Sequence, residues 1–302
     1  SQTENPDTDE PVIPPPSNNY VLQGSMQGSA ELVEAGYTQI HQYMRKIGWD
    51  YSEHPNSSSL DHKDGVHGEV IYDLFIRQYI FRLSIHADEK ALDGDRGKLI
   101  DRQRNEMKTQ TTPSWYKLNG NWDEWQQLKW KFKIPKDFRP SGSFTHLHQL
   151  KAQEGNNGSP VITITARSNG NGSNRRIQII HNGDTEETTK GTIIDNLPLE
   201  DFEDEWIQVE TEMHYTHNGS FSITLSRLSD GKRLVQRSFD DIDLWRKGAI
   251  SIRNKFGIYR SFGKTLTDEN DRPTNGIKDE HILLADFKVY EKNTNPDPQP
   301  HD

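Results

Sequence analysis

Three short stretches of this chain carry side chains that can move protons and bind anions. The first is Phe144-Thr145-His146-Leu147-His148-Gln149-Leu150-Lys151, which follows the turn signal Pro140-Ser141-Gly142-Ser143. Read as a strand it alternates, so His146 and His148 share one face and Thr145, Leu147 and Gln149 take the other. Imidazole is the side chain whose ordinary pKa lies nearest neutrality, which suits proton transfer. The same pattern also fits a polar edge strand, or a metal pair for which no third ligand stands at suitable spacing. The second stretch, Arg102-Gln103-Arg104-Asn105-Glu106-Met107-Lys108, puts Arg102, Arg104, Glu106 and Lys108 on one face. It fits either a solvated ladder of cross-strand ion pairs or a groove for carboxylate or sulfate, for which the arginine fork is suited. The third, Arg253-Asn254-Lys255-Phe256-Gly257-Ile258-Tyr259-Arg260, aligns Arg253, Lys255, Gly257 and Tyr259, with Phe256 and Ile258 toward a core. Gly257 would leave room for a ligand near the backbone, and a Tyr among cations can act as acid or base.

Together the stretches supply the parts that β-elimination from a uronic acid needs. A polar or cationic group neutralises the C6 carboxylate, so that the C5 proton becomes acidic. A base removes that proton, and an acid protonates the departing glycosidic oxygen.

At these residues a family resemblance emerges. Arg104-Asn105-Glu106-Met107-Lys108 resembles the Arg-x-Glu-x-Arg strand of the jelly-roll alginate lyases of family 7, with Lys for the last Arg. His146-Leu147-His148 resembles their Gln-x-His strand and the Gln-Trp-His stretch of heparin lyase I. Lys255-Phe256-Gly257-Ile258-Tyr259-Arg260 resembles their Lys-x-Gly-x-Tyr strand and, more closely, the Lys-Phe-Gly-Ile-Tyr-Arg stretch of heparin lyase I. The motifs keep the same order. The resemblance implies a polysaccharide lyase on a concanavalin-like jelly roll, an all-β sandwich of two antiparallel sheets. It implies His148 as base or partner of the neutralising group, Tyr259 as acid or acid/base, and Arg104 as the carboxylate ligand, with no cofactor required. The family's Gln aligns with His146, so either His146 takes that role or the substrate sits differently. Heparin is not carried over, because the chain as a whole is acidic.

Arg102, Glu106, Lys108, Lys255, Arg167, His67 and Arg260 complete the expected substrate-binding set. His54, His62 and His86 fall in or beside loops near the expected groove edge. Trp115, Tyr116, Trp122 and Trp125 either stack on sugar rings or pack their loop onto the body. Asp93-Gly94-Asp95 is a candidate for a structural calcium ion. Two other readings compete. A glycosidase would use two carboxylates about 5–5.5 Å apart, for which Glu200-Asp201-Phe202-Glu203-Asp204-Glu205 is acidic enough but lacks clean alternation. A non-catalytic carbohydrate-binding module would explain the aromatics and the jelly roll, though not the aligned Arg, His and Tyr.

The elements that must position these residues are mostly strands. A helix is expected over 29–48, where Leu32, Val33, Tyr37, Ile40, Met44 and Ile47 recur at helical spacing. From about residue 69 the period changes to two. About a dozen strands follow, separated by turn signals such as Asn182-Gly183 and Asn218-Gly219. A short helical turn is expected over 241–247. Residues 1–19 read as an acidic, Pro-rich disordered tether, 20–292 as one jelly-roll catalytic domain, and 293–302 as a disordered tail.

The chain has 302 residues, with 31% hydrophobic residues but 7 Trp, 10 Tyr and 11 Phe, enough aromatic area for a core. There is no Cys, which removes disulfide and thiol chemistry. The net charge of −10 argues against nucleic-acid binding. A local cationic cluster can still dominate within about 8 Å, the Debye length at physiological salt. No stretch is apolar enough to span a membrane. The expected partner is an acidic polysaccharide and the expected state a monomer. The leader resembles those of bacterial surface lipoproteins, which implies a secreted, periplasmic or outer-surface location, with a lipid-bearing Cys preceding Ser1 as one form of it.

Overall fold

The computed structural model describes residues 19–55, 66–87, 92–95, 100–268, 270–273, 276–292 and 299–302. The expected tether over 1–19, Asn19 apart, and most of the expected tail over 293–302 lie outside the described residues. Of the described residues 299–302, His301 lies against the body, bridging to Ala249 and stacking on Trp122.

Among the described residues, fifteen strands build two antiparallel sheets. The larger holds β1 (Val21–Met26), β3 (Gly68–Asp73), β4 (Gln78–Ile85), β6 (Trp125–Lys133), β11 (Ile207–His214), β12 (Gly219–Arg227), β13 (Arg233–Ile242) and β15 (Glu280–Lys292). Its order is β13-β12-β11-β6-β15-β4-β3, with β1 also pairing β15. The smaller sheet runs β10-β9-β8-β7-β14-β5-β2. These strands are β2 (Trp49–Glu53), β5 (Arg102–Thr109), β7 (Thr145–Gln153), β8 (Ile162–Arg167), β9 (Arg176–His181), β10 (Gly191–Pro198) and β14 (Ser251–Ser261). This is the expected jelly-roll sandwich.

Period-two alternation explains the core. Along β6, Gln126, Leu128, Trp130 and Phe132 are buried while their neighbours are half-exposed. Trp130 spans the sandwich, its ring 5.0 Å from Phe256 of the smaller sheet and 6.2 Å from Phe287 of its own. Such aromatic contacts fix how the sheets face each other.

The helix is shorter than expected: α1 covers Tyr37–Lys46, preceded by a single 3-10 turn at Ala30–Leu32. Glu34, held at a positive φ of 68°, separates the two and stops a continuous helix. Ile40 and Met44, one turn apart, are the buried face of α1. The expected helical turn over 241–247 is absent: β13 runs on to Ile242, and Leu244 and Trp245 are buried in non-helical chain. Three strands were not expected from the pattern. β1 lies between the expected tether and the expected helix, β2 directly follows that helix, and β10 is an edge strand whose register shifts twice.

Candidate active site

The site is built on three adjacent strands, β5, β14 and β7. On the face of the smaller sheet turned away from the sandwich core, Tyr259 pairs with Arg104 on one side and His146 on the other. The next rows set Gly257 beside Glu106, then Lys255 between Lys108 and Gln149, then Arg253 beside Lys151. β8 extends the rows, with Thr165 opposite His146 and Thr163 opposite Gln149. The three motifs, distant in sequence, therefore converge.

Tyr259 is the most elaborately held of these side chains. Arg102 donates a hydrogen bond to its hydroxyl at 3.0 Å. The Arg104 guanidinium lies over its ring, 3.8 Å from the centroid. That is a close cation–π contact. Arg104 is further tied to Asp95 at 3.1 Å, Glu53 at 3.5 Å and Glu106 at 3.6 Å. Glu106 also accepts from Gln149 Nε2 at 2.7 Å. Glu53 takes Lys255 at 2.8 Å and Lys108 at 3.5 Å. Burial alone would raise the Glu53 pKa, but Lys255, Lys108 and Arg104 outweigh it and hold the carboxyl well below its usual range. The floor is thus a connected network of charges rather than a solvated ladder.

His146 stacks on Phe144 at 4.8 Å and faces Tyr259 with ring centroids 5.9 Å apart. Burial first, then the positive charges of Arg167, Arg104, Arg102 and Lys151, push its pKa down to about 3. The ring is therefore neutral near pH 7. Its Nδ1 is buried with no hydrogen-bond partner among the described residues. Arg167 stands on the same face and donates through Nε to Gln178 at 2.8 Å. Lys151 is pushed down to about 8 by burial and by Lys255, Arg253, Arg246 and Arg104. Cations depress one another in this way when too few anions stand among them.

Several sequence-based assignments change. His148 does not share the face of His146. It is 2% exposed, lies among Trp130, Phe256, Leu150, Ile162 and Ile164 inside the sandwich, and burial pushes its pKa down to about 3. The cause is a bulge. Pairing slips by one residue between His146 and His148 toward β8, and between Phe256 and Tyr259 toward β14. A one-residue slip exchanges the faces. Leu147 and His148 both turn inward, and Gln149 joins the outer face. The alternative reading of His146 and His148 as a metal pair disappears with it.

Gly257 is not a gap for a ligand. Its φ is +145°, and a Cβ there would stand 2.1 Å from the Asn105 carbonyl oxygen of β5. Arg260 is fully buried on the core side, donating through Nε to Gln103 Oε1 at 2.7 Å. His67 is buried against Asp93 at 3.0 Å, so neither residue lines the outer face. His54 packs on Tyr37 and Tyr51, and His62 lies outside the described residues. Asp93 and Asp95 diverge, Asp93 toward His67 and His86 and Asp95 toward Arg104. Trp122 packs on Trp245 and Trp125 stacks on His214, pinning their loop to the body. Glu200 and Glu203 pair with Arg175.

Glu53, Gln149, Lys151 and Asp95 were missed. One signal was present for Gln149: Leu147 and Leu150 are three apart, which a regular strand cannot bury on one face, yet both are buried. Glu53 and Asp95 reach the site through an edge strand and a loop, and no sequence periodicity marks them.

Solved structures similar to this chain are polysaccharide lyases. The endo-β-1,4-glucuronan lyase from the fungus Trichoderma reesei shares 13% identity over 83% of this chain and 98% of its own, with a TM-score of 0.50. The jelly-roll fold expected from the three motifs is the fold of this chain. An alginate lyase of polysaccharide lyase family 7 matches at 12% identity over 81% of this chain and 94% of its own, TM-score 0.46. An alginate lyase from Pseudomonas aeruginosa matches at 14% over 74% and 86%, TM-score 0.44. No family model and no curated protein matches the sequence. Among the described residues, no helix is long and apolar enough to cross a membrane.

Proposed function

We propose that this protein is a polysaccharide lyase that cleaves a uronic-acid-containing polymer by metal-independent β-elimination. The observation that carries the proposal is Tyr259, with its hydroxyl on Arg102, its ring under Arg104 and a neutral His146 across the strand pair. Because the Tyr259 oxygen accepts from Arg102, its own proton is free to point at a ligand. Tyr259 is then the acid that protonates the leaving oxygen. His146 is the base that takes the C5 proton. As that C–H bond breaks, its electrons form the C4–C5 double bond and the C4–O bond breaks. Arg102 and Arg167 flank His146 and neutralise the C6 carboxylate, while Glu106 and Gln149 hold Arg104 and the floor in place. A local surplus of cations on an acidic chain supports an acidic substrate. A polymer substrate of this kind also supports a secreted, periplasmic or outer-surface location.

The test is to incubate the protein with alginate, glucuronan, ulvan and glycosaminoglycans and follow the ultraviolet absorbance of unsaturated uronates. A rise on at least one polymer is expected. New reducing ends without that absorbance would mean hydrolysis, and binding without cleavage would mean a carbohydrate-binding module.

A further inference from the structure

Three side chains that the elimination does not use converge where the ends of β3 and β4 meet the segment before β5. His67 Nε2 is 3.0 Å from Asp93 Oδ1, His86 Nδ1 is 3.1 Å from Asp93 Oδ2, and the two ring nitrogens are 3.3 Å apart. The His67 and Asp93 side chains are wholly buried, and that of His86 is 20% exposed.

Hydrogen bonding alone leaves this arrangement in conflict. If both rings donate to the Asp93 carboxylate, two N–H groups face each other across 3.3 Å. If one ring presents its lone pair instead, that lone pair faces the carboxylate. A cation at the centre makes all three contacts favourable, because each nitrogen and the carboxylate then offers a lone pair to it. The spacing also fits. Zinc ligands at about 2.0–2.1 Å in tetrahedral geometry stand about 3.3 Å from one another. Two imidazoles and one carboxylate suit zinc or a similar transition metal, whereas calcium takes oxygen ligands.

The surroundings hold the three residues in place. Asn105 Nδ2 donates to the His67 carbonyl at 2.8 Å. Gln103 Nε2 donates to the carbonyls of His86 and Asp93 at 3.1 and 2.9 Å. These bonds fix the backbone from which the three side chains project. Gln103 and Asn105 alternate along β5 with Arg102 and Arg104, so one strand frames the cluster and carries the groove cations. Asp95, two residues past Asp93, pairs with Arg104.

We propose that His67, His86 and Asp93 bind one divalent transition-metal ion of the zinc type. The ion clamps residues 92–95 to the β3–β4 edge and thereby steadies Asp95 on Arg104. Its role is structural, and it does not depend on the lyase reading.

The full chain is stripped with a chelator and titrated with zinc, cobalt or calcium. One zinc ion per chain is expected, with a Tm higher by several degrees, visible d–d bands with cobalt, and no shift with calcium. His86→Gln, at the exposed edge of the cluster, should weaken zinc binding by at least about tenfold while the stripped variant melts like the stripped parent. A parent chain that takes up no stoichiometric zinc, a Tm shift with calcium alone, or undiminished zinc affinity in His86→Gln overturns the assignment.

Discussion

Tyr259 and His146 stand opposite each other where β14 and β7 pair, their ring centroids 5.9 Å apart. Two residues further along β7, His148 is on the other side of the sheet, packed on Phe256 at 4.8 Å. The two histidines therefore belong to different environments, and four predictions follow from that separation and its surroundings.

Tyr259→Phe and His146→Ala should each lower kcat by about 10²–10⁴-fold, the usual contribution of a positioned acid or base. Circular dichroism should show an unchanged fold. Near-parental turnover in both variants would remove these residues from the chemistry.

His148→Leu should retain turnover. It replaces a buried polar group by an apolar one among Leu150, Ile162, Ile164, Met213 and Ile223, and removes only a long contact to Asn254 at 3.4 Å. A Tm close to that of the parent is expected, because the long contact that Asn254 Oδ1 loses offsets the gain from burying an apolar side chain. Lost turnover with an intact fold would return His148 to the catalytic site.

Acid should destabilise the protein from about pH 6.5 downward, where free His protonates. In the folded state burial holds His146 and His148 down to about 3, and His54 and His281 to about 4. The unfolded chain therefore binds protons first, and stability falls as pH drops through this window. Tm measured across the range should show it, with a shallower slope in His148→Leu. The same depression predicts no His146 inflection near 6.5 in the pH profile of kcat/KM. An inflection there that disappears in His146→Gln would contradict the depressed pKa of His146 while leaving it as the base.

Two substitutions probe the scaffold. Gly257→Ala should lower the unfolding free energy by about 1–3 kcal/mol, since the left-handed backbone strains any other residue and the new Cβ meets the Asn105 carbonyl. Glu53→Gln should cost about 3–5 kcal/mol by leaving Lys255 buried without its nearest opposite charge. Urea unfolding measures both. An unchanged midpoint in Glu53→Gln would mean that Glu106 suffices for Lys255.

The sequence by itself determined a good deal. Alternation along β5, β6, β12 and β14 specified a sandwich, because in a strand a side chain's face follows from its position parity. The same parity correctly aligned Arg102, Arg104, Glu106 and Lys108, and Lys255 with Tyr259, since β5 and β14 pair without a register break. Tertiary structure decided what parity could not. The bulge at Leu147 and His148 arises from how β7 is stretched between two neighbours of different register, so only the assembled sheet shows which histidine faces the groove. Parity alone turns Arg260 inward with Phe256 and Ile258, but only the fold supplies Gln103 and the Lys278 carbonyl to receive its guanidinium there. His67, His86 and Asp93 come from a strand entry, a strand exit and a loop. Their meeting depends on β3, β4 and β5 being folded against one another, a relation that local spacing along the chain does not encode.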